Sequence, residues 1–245
     1  MPITTCIFDA YGTLFDVAAA ARQAAAEPNR EAFAKVWAKV ANEWRLKQLQ
    51  YTWLRAVMDA HADFWDVTQN GLDYALEASG LADDAELRER LLALYWELEA
   101  YEEVPQMLAT LKSAGYNTAI LSNGSPKMLD GAVQSAGIGD VLDDVLSVED
   151  VSTCKPAPCV YQLVCDRFNC TPDQVLFVSS NGWDAAAATK FGFQTAWVNR
   201  AKEPQDKLPW TPREVLSTLH KIPDLAKVFW LFSALLSASR ISNRT

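Results

Sequence analysis

The chain has 245 residues, of which 50% are hydrophobic and 22% charged, so it is not disordered and is long enough for one large core or for a core with a smaller second domain. Its formal net charge of -9 at pH 7 disfavours nucleic acid as a partner, because no basic stripe offsets the excess of acids. Its five cysteines are an odd number without a C-x-x-C pair, so we expect free thiols in a reducing compartment, buried as small hydrophobic side chains.

We expect neither a targeting segment nor a membrane span. A predicted strand begins at the start of the sequence, without a basic and apolar leader before it, which favours the cytoplasm and no membrane association. The apolar run of residues 228–236 is too short to cross a bilayer. We predict a terminal helix there, which docks on the core or on a second subunit.

The first predicted element is a buried parallel strand over residues 3–8, which is followed directly by Asp9. Gly12 allows a tight turn close to a ligand, and the hydroxyl of Thr13 can bond to a carboxylate and fix its rotamer. Asp9 is therefore a candidate nucleophile. An Asp-x-x-Gly segment is also an ordinary turn at the end of a strand, and this stretch alone leaves both interpretations open.

Residues 16–100 change to a helical pattern. Hydrophobic residues recur at steps of three and four residues, and Gly80 is a candidate helix stop. The periodicity continues through Phe33, Val36, Trp37, Val40, Trp44, Leu49, Trp53, Val57 and Phe64, and further helices are predicted over residues 69–79 and 85–100. We predict an all-helical segment whose many aromatic side chains form the core of a bundle.

From residue 102 onwards, predicted helices and strands alternate, as in a parallel α/β sheet. Strands are predicted at residues 117–121, 145–148, 175–178 and 195–198 and once more near the end, with helices at 104–114, 127–136 and 160–168 between them. The predicted fold class is α/β. A doubly wound, Rossmann-like core, residues 1–15 and 101–232, is interrupted after its first strand by a helical cap domain, residues 16–100, and residues 233–245 form a C-terminal tail.

Four polar clusters follow predicted strands, at residues 9–13, 122–124, 155–156 and 179–184. In open α/β sheets, ligands bind beyond the carboxyl ends of the strands, where the connections diverge to opposite faces. Each cluster alone is a common turn, loop or helix cap. Together, in this order, they predict one site at the carboxyl edge of the sheet.

These clusters resemble the pattern of the haloacid dehalogenase superfamily: an Asp after the first strand, a Ser or Thr after the second, a Lys before a Pro and an acid after the fourth. In this sequence they are Asp9, Ser122, Lys155 and Asp184. Within the superfamily, the chain is similar to the L-2-haloacid dehalogenases, and the similarity includes the helical segment. The matching stretches are FDAYGTLFDV at 8–17, WR at 44–45, KQL at 47–49, YTWLR at 51–55, LSNG at 121–124 and residues 177–184.

The resemblance implies covalent hydrolysis of a short L-2-haloalkanoic acid, without a metal or another cofactor. Asp9 would attack the α-carbon with inversion and expel the halide, and water would then hydrolyse the aspartyl ester to give a D-2-hydroxyalkanoic acid. Lys155 would keep Asp9 ionised and would help to bind the substrate carboxylate. That second task would be shared by Ser122 and by the backbone N–H groups of Ala10, Tyr11 and Asn123.

The resemblance also implies a place for the departing halide. The halide cradle would consist of Arg45, Asn123 and Trp183, beside an apolar wall of Tyr11, Leu49 and Phe64. Arg45 and Leu49 lie one turn apart on a helix, so both can face the same site. By helical geometry alone, an arginine on a helix is more often a solvated charge. Leu46 departs from the glutamine that commonly follows this arginine in the family.

The remaining polar residues are assigned to the hydrolytic step. Asp184, supported by Ser179 and Asn181, would position the water and orient Lys155. Tyr161 would bond within this polar network. The resemblance further implies a homodimer, and the partners expected are a small 2-haloacid and a halide ion.

Two positions differ from the phosphatases of the superfamily, which carry a second Asp two residues after the nucleophile and paired acids after the fourth strand that hold Mg²⁺. This chain has Tyr11 and Ser180 there, which disfavours phosphoryl transfer. A Mg²⁺-dependent phosphatase remains the alternative, and a catalytically silent binding protein of the same fold is a second one. With two histidines and no G-x-S-x-G, a Ser-His-Asp hydrolase is disfavoured.

Overall fold

Six parallel strands form one sheet in the computed structural model of the chain, which describes residues 1–228. In the order β3-β2-β1-β4-β5-β6, the sheet contains β1 (Thr5–Phe8), β2 (Asn117–Ser122), β3 (Asp144–Ser147), β4 (Val175–Ser179), β5 (Gln194–Val198) and β6 (Glu214–Leu216). The predicted doubly wound α/β fold is confirmed. The predicted tail, residues 233–245, and all but the first residue of the predicted terminal helix, residues 228–236, lie outside the described residues.

The central strand β1 lies between β2 and β4, so the connections change direction along the sheet at this strand. Its side chains alternate between two faces: Cys6 and Phe8 pack into one hydrophobic cluster and Ile7 into the other. All four residues of β1 are buried, as expected of a parallel strand that is covered on both faces. The change of direction places Asp9 at the crevice where such sheets bind ligands.

Six helices lie between β1 and β2, and we call the stretch that holds the first five, residues 16–100, the helical insert. It contains α1 (Ala19–Ala25), α2 (Glu31–Ala34), α3 (Trp37–Val57), α4 (Phe64–Glu77) and α5 (Ala85–Trp96). The sixth helix, α6 (Val104–Ser113), leads into β2. The later strands are joined by α7 (Pro126–Ala136), α8 (Pro158–Phe168) and α9 (Gly182–Phe191), with short 3-10 turns at Gly139–Val141, Val148–Val151 and Pro172–Gln174. The helical pattern of the insert is confirmed, while its role as a separate cap domain stays a prediction.

A helix boundary inside the insert differs from the sequence periodicity, which continues unbroken to Phe64. The long helix α3 ends at Val57, and Phe64 begins a new helix instead of continuing the old one. After Val57 the chain turns at Asp59, whose φ of 54° is left-handed, and the Asp63 carboxylate then accepts the backbone N–H of Trp65 at 2.7 Å and caps the start of α4. The break between the two helices thus comes from a left-handed residue and a polar cap, neither of which the apolar repeat indicates.

The two connections between the sheet and the insert run side by side. Phe15 and Ala100 form an antiparallel bridge. Backbone hydrogen bonds of 2.9 Å join the residues on both sides of it, Asp16 N–H with Glu99 O and Tyr101 N–H with Leu14 O. This pairing ends α5 at Trp96, short of the predicted residue 100, and attaches the insert close to the carboxyl end of β1.

The cysteines are free thiols, as expected. Cys6, Cys154 and Cys165 are buried and Cys170 is half-buried, but Cys159 is exposed, so the prediction of burial is wrong for this residue. The buried residues of α8 are at positions 160, 161, 164 and 165, and Cys159 falls outside that helical stripe. Among residues 1–228, no helix is long and apolar enough to cross a bilayer.

An ion pair fastens the loop after β1 to the start of α6. Arg200, just after β5, donates through Nη1 to Glu103 Oε1 at 2.6 Å and through Nη2 to Thr13 O at 3.2 Å. Its guanidinium also lies over the ring of Tyr101, with Cζ 3.7 Å from the ring centroid. Burial opposes the charge of Glu103, but the Arg200 contact outweighs it and lowers the pKa of this carboxyl.

We expect Arg200→Met to lower the free energy of unfolding by about 1–3 kcal/mol at neutral pH, because the Glu103 carboxylate loses its charged partner. The folded pKa of Glu103 lies below the unfolded one, so this stabilisation is present above about pH 4 and is lost as the pH falls through the folded value. Denaturant titrations at neutral and acidic pH measure it. Arg22→Met, which removes an exposed pair with Asp16, is the control, and equal losses in the two variants would contradict this role.

Candidate active site

The predicted polar clusters meet at one edge of the sheet. Asp9 follows β1, residues 122–124 follow β2 and residues 179–184 follow β4, and these strands pair in parallel. Lys155 reaches Asp9 from the loop between β3 and α8, and Arg45 reaches Asn181 from α3 of the helical insert. Asp9 is 6% exposed, so the candidate nucleophile is nearly closed off from bulk water.

Three side chains hold the carboxylate of Asp9. Lys155 Nζ donates to Oδ1 at 3.0 Å, while the Thr13 hydroxyl and the Asn181 amide donate to Oδ2 at 2.9 and 3.1 Å. Each oxygen of an ionised carboxylate offers two lone pairs. Among the described residues, Oδ1 therefore accepts a single side-chain hydrogen bond and keeps a lone pair for a reaction.

Lys155 is buried between two carboxylates. Its Nζ also donates to Asp184 Oδ2 at 2.9 Å, and the Tyr161 hydroxyl donates to Asp184 Oδ1 at 2.7 Å. Burial disfavours the charge of Lys155, but Asp184 and Asp9 outweigh this effect, so the pKa of Lys155 is raised. Burial also raises the pKa of Asp184, where Lys155 opposes the shift and Asp9 adds to it. Lys155 therefore stays positively charged through the neutral range.

Arg45 extends from α3 into the same crevice. Its Nη2 donates to Tyr11 O at 3.2 Å and to Asn181 Oδ1 at 3.4 Å, and its Nη1 donates to Gln48 Oε1 at 2.9 Å. These three acceptors are uncharged oxygens. The guanidinium thus keeps its positive charge beside Asn181, which itself bonds to Asp9. This contact favours a role in the site over a solvated charge.

Tyr11 lies in an aromatic group next to Asp9. Its ring centroid is 5.6 Å from that of Tyr95 and 5.9 Å from that of Phe64. The Tyr11 hydroxyl is buried and has no hydrogen-bond partner among the described residues, and burial raises its pKa well above the ordinary value. Tyr11 and Phe64 therefore pack together as apolar rings, and their place in the wall of the site stays a prediction.

Two serines that were predicted for the site accept hydrogen bonds within their own loops. Ser122 Oγ accepts the Gly124 N–H at 3.0 Å, and Ser179 Oγ accepts the Asn181 N–H at 3.1 Å. The Asp184 carboxylate bonds to Lys155 and Tyr161, and the Asp184 N–H donates to the backbone oxygen of Asn181 at 3.2 Å, so the support of Asp184 by Ser179 and Asn181 stays a prediction. A serine at the end of a strand reaches the N–H two residues ahead more readily than a side chain on the next helix.

Asn123 and Trp183 have other partners than Arg45 in the part of the chain that is described. Asn123 Oδ1 accepts the Lys155 N–H at 3.0 Å, and the Trp183 ring packs edge-on against Trp53 of α3, with centroids 5.2 Å apart. Their share in a halide cradle stays a prediction. The same holds for the substrate contacts of Ala10, Leu49 and Ser122.

A buried polar group behind Arg45 was not predicted from the sequence: Gln48, Thr68 and Tyr95. A signal for Gln48 exists, since it falls between Trp44 and Thr52 on the buried stripe of α3. Ser180 occupies a position where the phosphatases of the superfamily have an acid. Its hydroxyl lies 3.1 Å from that of Thr13 and donates to it, because the Thr13 proton goes to Asp9, and the Ser180 N–H donates to the Thr13 hydroxyl at 2.7 Å.

The side chains at this site do not fit a Mg²⁺ ion. Both carboxylates, Asp9 and Asp184, bond to Lys155, and the positions that would supply further acids hold Tyr11 and Ser180. Residues 1–228 contain no group of three or more His, Cys, Asp or Glu side chains placed to hold a metal. The donor set therefore gives no support to the phosphatase alternative.

A family model of haloacid dehalogenase-like hydrolases matches residues 3–192, and the fold and the residues of the site define a protein of this class. The chain is 43% identical to (S)-2-haloacid dehalogenase 1 of Pseudomonas sp. (strain CBS-3), over 91% of this chain and 96% of that protein. It is 44% identical to (S)-2-haloacid dehalogenase 4A of Burkholderia cepacia, over 83% of this chain and 86% of that protein.

Among solved structures, it is similar to the L-2-haloacid dehalogenase from Xanthobacter autotrophicus with chloropropionic acid covalently bound. The TM-score is 0.81 and the identity 37%, and the match covers 92% of this chain and 98% of that one. The chain belongs to the (S)-2-haloacid dehalogenases. The family resemblance seen in the sequence is thereby confirmed.

We expect Gly124→Ala to lower the free energy of unfolding by about 1–3 kcal/mol, because the backbone packs against the Tyr11 ring without room for a methyl group. A Cβ at Gly124 would lie 2.7 Å from the ring and 3.1 Å from Leu129. Gly139→Ala, whose nearest neighbour would be 3.7 Å away, is the control and should be at least as stable as wild type. Denaturant titration measures both. The assigned cause would be wrong if adding Tyr11→Leu to Gly124→Ala recovered no stability.

Proposed function

We propose that this protein hydrolyses short L-2-haloalkanoic acids to D-2-hydroxyalkanoic acids, with Asp9 as the nucleophile. One observation carries the proposal: the Asp9 carboxylate, with a lone pair left on Oδ1, bonds to Lys155 and to Asn181, and Asn181 in turn accepts from Arg45, so that two cations from different parts of the chain meet at Asp9. The substrate carboxylate and the departing halide are both anions, and each needs a positive group to stabilise it.

In the first step, Asp9 Oδ1 attacks the α-carbon from the side opposite the halogen. The carbon–oxygen bond forms as the carbon–halogen bond breaks, and the halogen leaves with the bonding electron pair. The α-carbon is inverted, Asp9 becomes an ester, and its negative charge passes to the halide. The small exposure of Asp9 keeps its carboxylate poorly hydrated and therefore more reactive.

In the second step, water attacks the side-chain carbonyl carbon of the ester. The acyl carbon–oxygen bond breaks, one proton is released, and Asp9 returns as a carboxylate. The bond between the α-carbon and its new oxygen survives, so the product keeps the inverted configuration. Asp184 positions the water and orients Lys155, while Tyr161 holds Asp184 through its 2.7 Å hydrogen bond.

The two anions are bound by different groups. Lys155 binds the substrate carboxylate together with Ser122 and the N–H groups of Ala10, Tyr11 and Asn123. Arg45 receives the halide with Asn123 and Trp183, and Tyr11, Leu49 and Phe64 line the apolar side. Arg45 is suited to this task because three of its five N–H donors contact protein oxygens, which leaves two for an anion.

We further propose that the protein works in the cytoplasm as a homodimer. Its free cysteines suit a reducing compartment. Exposed hydrophobic side chains of α3 and the residue after it offer a surface to a second copy: Leu46, Leu54, Val57 and Met58.

Halide release from L- and D-2-chloropropionate, measured separately with EDTA present, tests the proposed reaction. We expect release from the L form alone, with D-lactate as the product, because attack by Asp9 inverts the centre. Asp9→Asn should lower the rate about a thousandfold or more. That variant should still fold, since the contact between Lys155 and Asp184 remains.

The proposal would be overturned if neither form released halide and the protein instead hydrolysed a phosphate ester once Mg²⁺ was added. An Asp9→Asn variant with wild-type turnover would contradict the nucleophile but not the reaction.

A further inference from the structure

We propose that Gln48 is a positioning residue for Arg45, whose guanidinium it holds in place through its side-chain carbonyl; the inference rests on the proposed function. Gln48 lies three residues after Arg45 on α3 and is 1% exposed. Its Oε1 accepts from Arg45 Nη1 at 2.9 Å. A buried amide at this distance restricts the rotamer of the long arginine side chain.

The neighbours of Gln48 determine which way its amide faces. Thr68 Oγ1 lies 2.7 Å from Gln48 Nε2 and 2.7 Å from the backbone oxygen of Phe64. A hydroxyl has a single proton, and a carbonyl oxygen can only accept, so the Thr68 proton points to Phe64. Thr68 must then accept from Gln48. The amide therefore turns its NH₂ group to Thr68 and its carbonyl oxygen to Arg45.

Tyr95 accepts from the second N–H of the Gln48 amide. Its hydroxyl lies 3.1 Å from Gln48 Nε2, and its ring packs on Tyr11 and Trp44, with centroids 5.6 and 4.9 Å apart. Both N–H groups of the amide and its oxygen thus have partners. Rotation of the amide would leave buried polar groups unpaired, which is costly, so the carbonyl is a rigid support for Arg45.

The absence of charge on Gln48 suits this role. A carboxylate at position 48 would hold the guanidinium as well, but it would neutralise the positive charge that the halide needs. The other two oxygens that contact Arg45, from Tyr11 and Asn181, are likewise uncharged. Arg45 is therefore oriented by three neutral acceptors and keeps its charge for the leaving group.

The test measures halide release in a single turnover of L-2-chloropropionate, which reports the first step alone. Gln48→Met keeps the approximate shape but removes the hydrogen bonds, and we expect it to slow release about tenfold or more. Gln50→Met is the matched control, because Gln50 lies on the same helix, is exposed and bonds only to Lys47 among the described residues. It should match wild type.

A second experiment, in an Arg45→Ala background, distinguishes a positioning role of Gln48 from a general structural role. In Arg45→Ala, adding Gln48→Met should slow release by less than about twofold, because Gln48 acts through Arg45. Equal losses in both backgrounds, or a Gln48→Met rate within about twofold of wild type, would overturn the inference.

Two further outcomes are distinguishable. Wild type that releases no halide would overturn the proposed function, on which the inference rests. If Gln48→Met does not fold, Gln48→Glu keeps the size of the side chain and should also slow release about tenfold, because it neutralises Arg45. A wild-type rate in Gln48→Glu would overturn the inference.

Discussion

The rest of the site depends on the ion pairs that the buried Lys155 forms with Asp9 and Asp184. Asp9 and Asp184 lie on either side of Lys155, at 3.0 and 2.9 Å, so one positive charge is shared by two carboxylates in a nearly closed space. The cost of burying the lysine is offset because both carboxylates face it. Its backbone is held as well, since the N–H of Lys155 donates to Asn123. The loop after β3 and the ends of β1, β2 and β4 therefore form one electrostatic unit.

The second cation has a different origin. Arg45 belongs to the helical insert, so its position relative to Asp9 depends on how the insert rests on the sheet. The paired connections at Phe15 and Ala100 set that position near β1, and two further contacts lie at the periphery, between Trp53 and Trp183 and between His61 and Glu149. We infer from this arrangement that the sheet edge and the helical insert have different tasks. In the proposed reaction, the sheet edge would supply the nucleophile and its hydrolytic partners, and the insert would supply the charge for the leaving group.

The strands and the polar clusters after them could be predicted because a buried parallel strand and the turn at its end are formed by consecutive residues. Asp9, Lys155 and Asp184 followed from those clusters and from the family resemblance. The group of Gln48, Thr68 and Tyr95 could not, because its members come from three helices, α3, α4 and α5, and meet only in the folded chain. The hydrogen-bond partner of Ser179 could not be predicted for another reason. Its hydroxyl could reach either Asp184 or the nearby Asn181 N–H, and the local geometry decides between these two partners. Likewise, the left-handed Asp59 and the cap at Asp63 separate two helices within one hydrophobic repeat.

The central claim is that Asp9 attacks the substrate and that water attacks Asp9. The most direct measurement is a single turnover of L-2-chloropropionate in water enriched in ¹⁸O, with enzyme in excess, followed by mass spectrometry of the product and of the peptide that contains Asp9. Attack by Asp9 predicts one ¹⁸O atom in the Asp9 carboxylate and none incorporated into the hydroxyl group of the product, because the product oxygen comes from Asp9. Label in the product hydroxyl and none in Asp9 would show that water attacks the α-carbon directly, and would contradict the account.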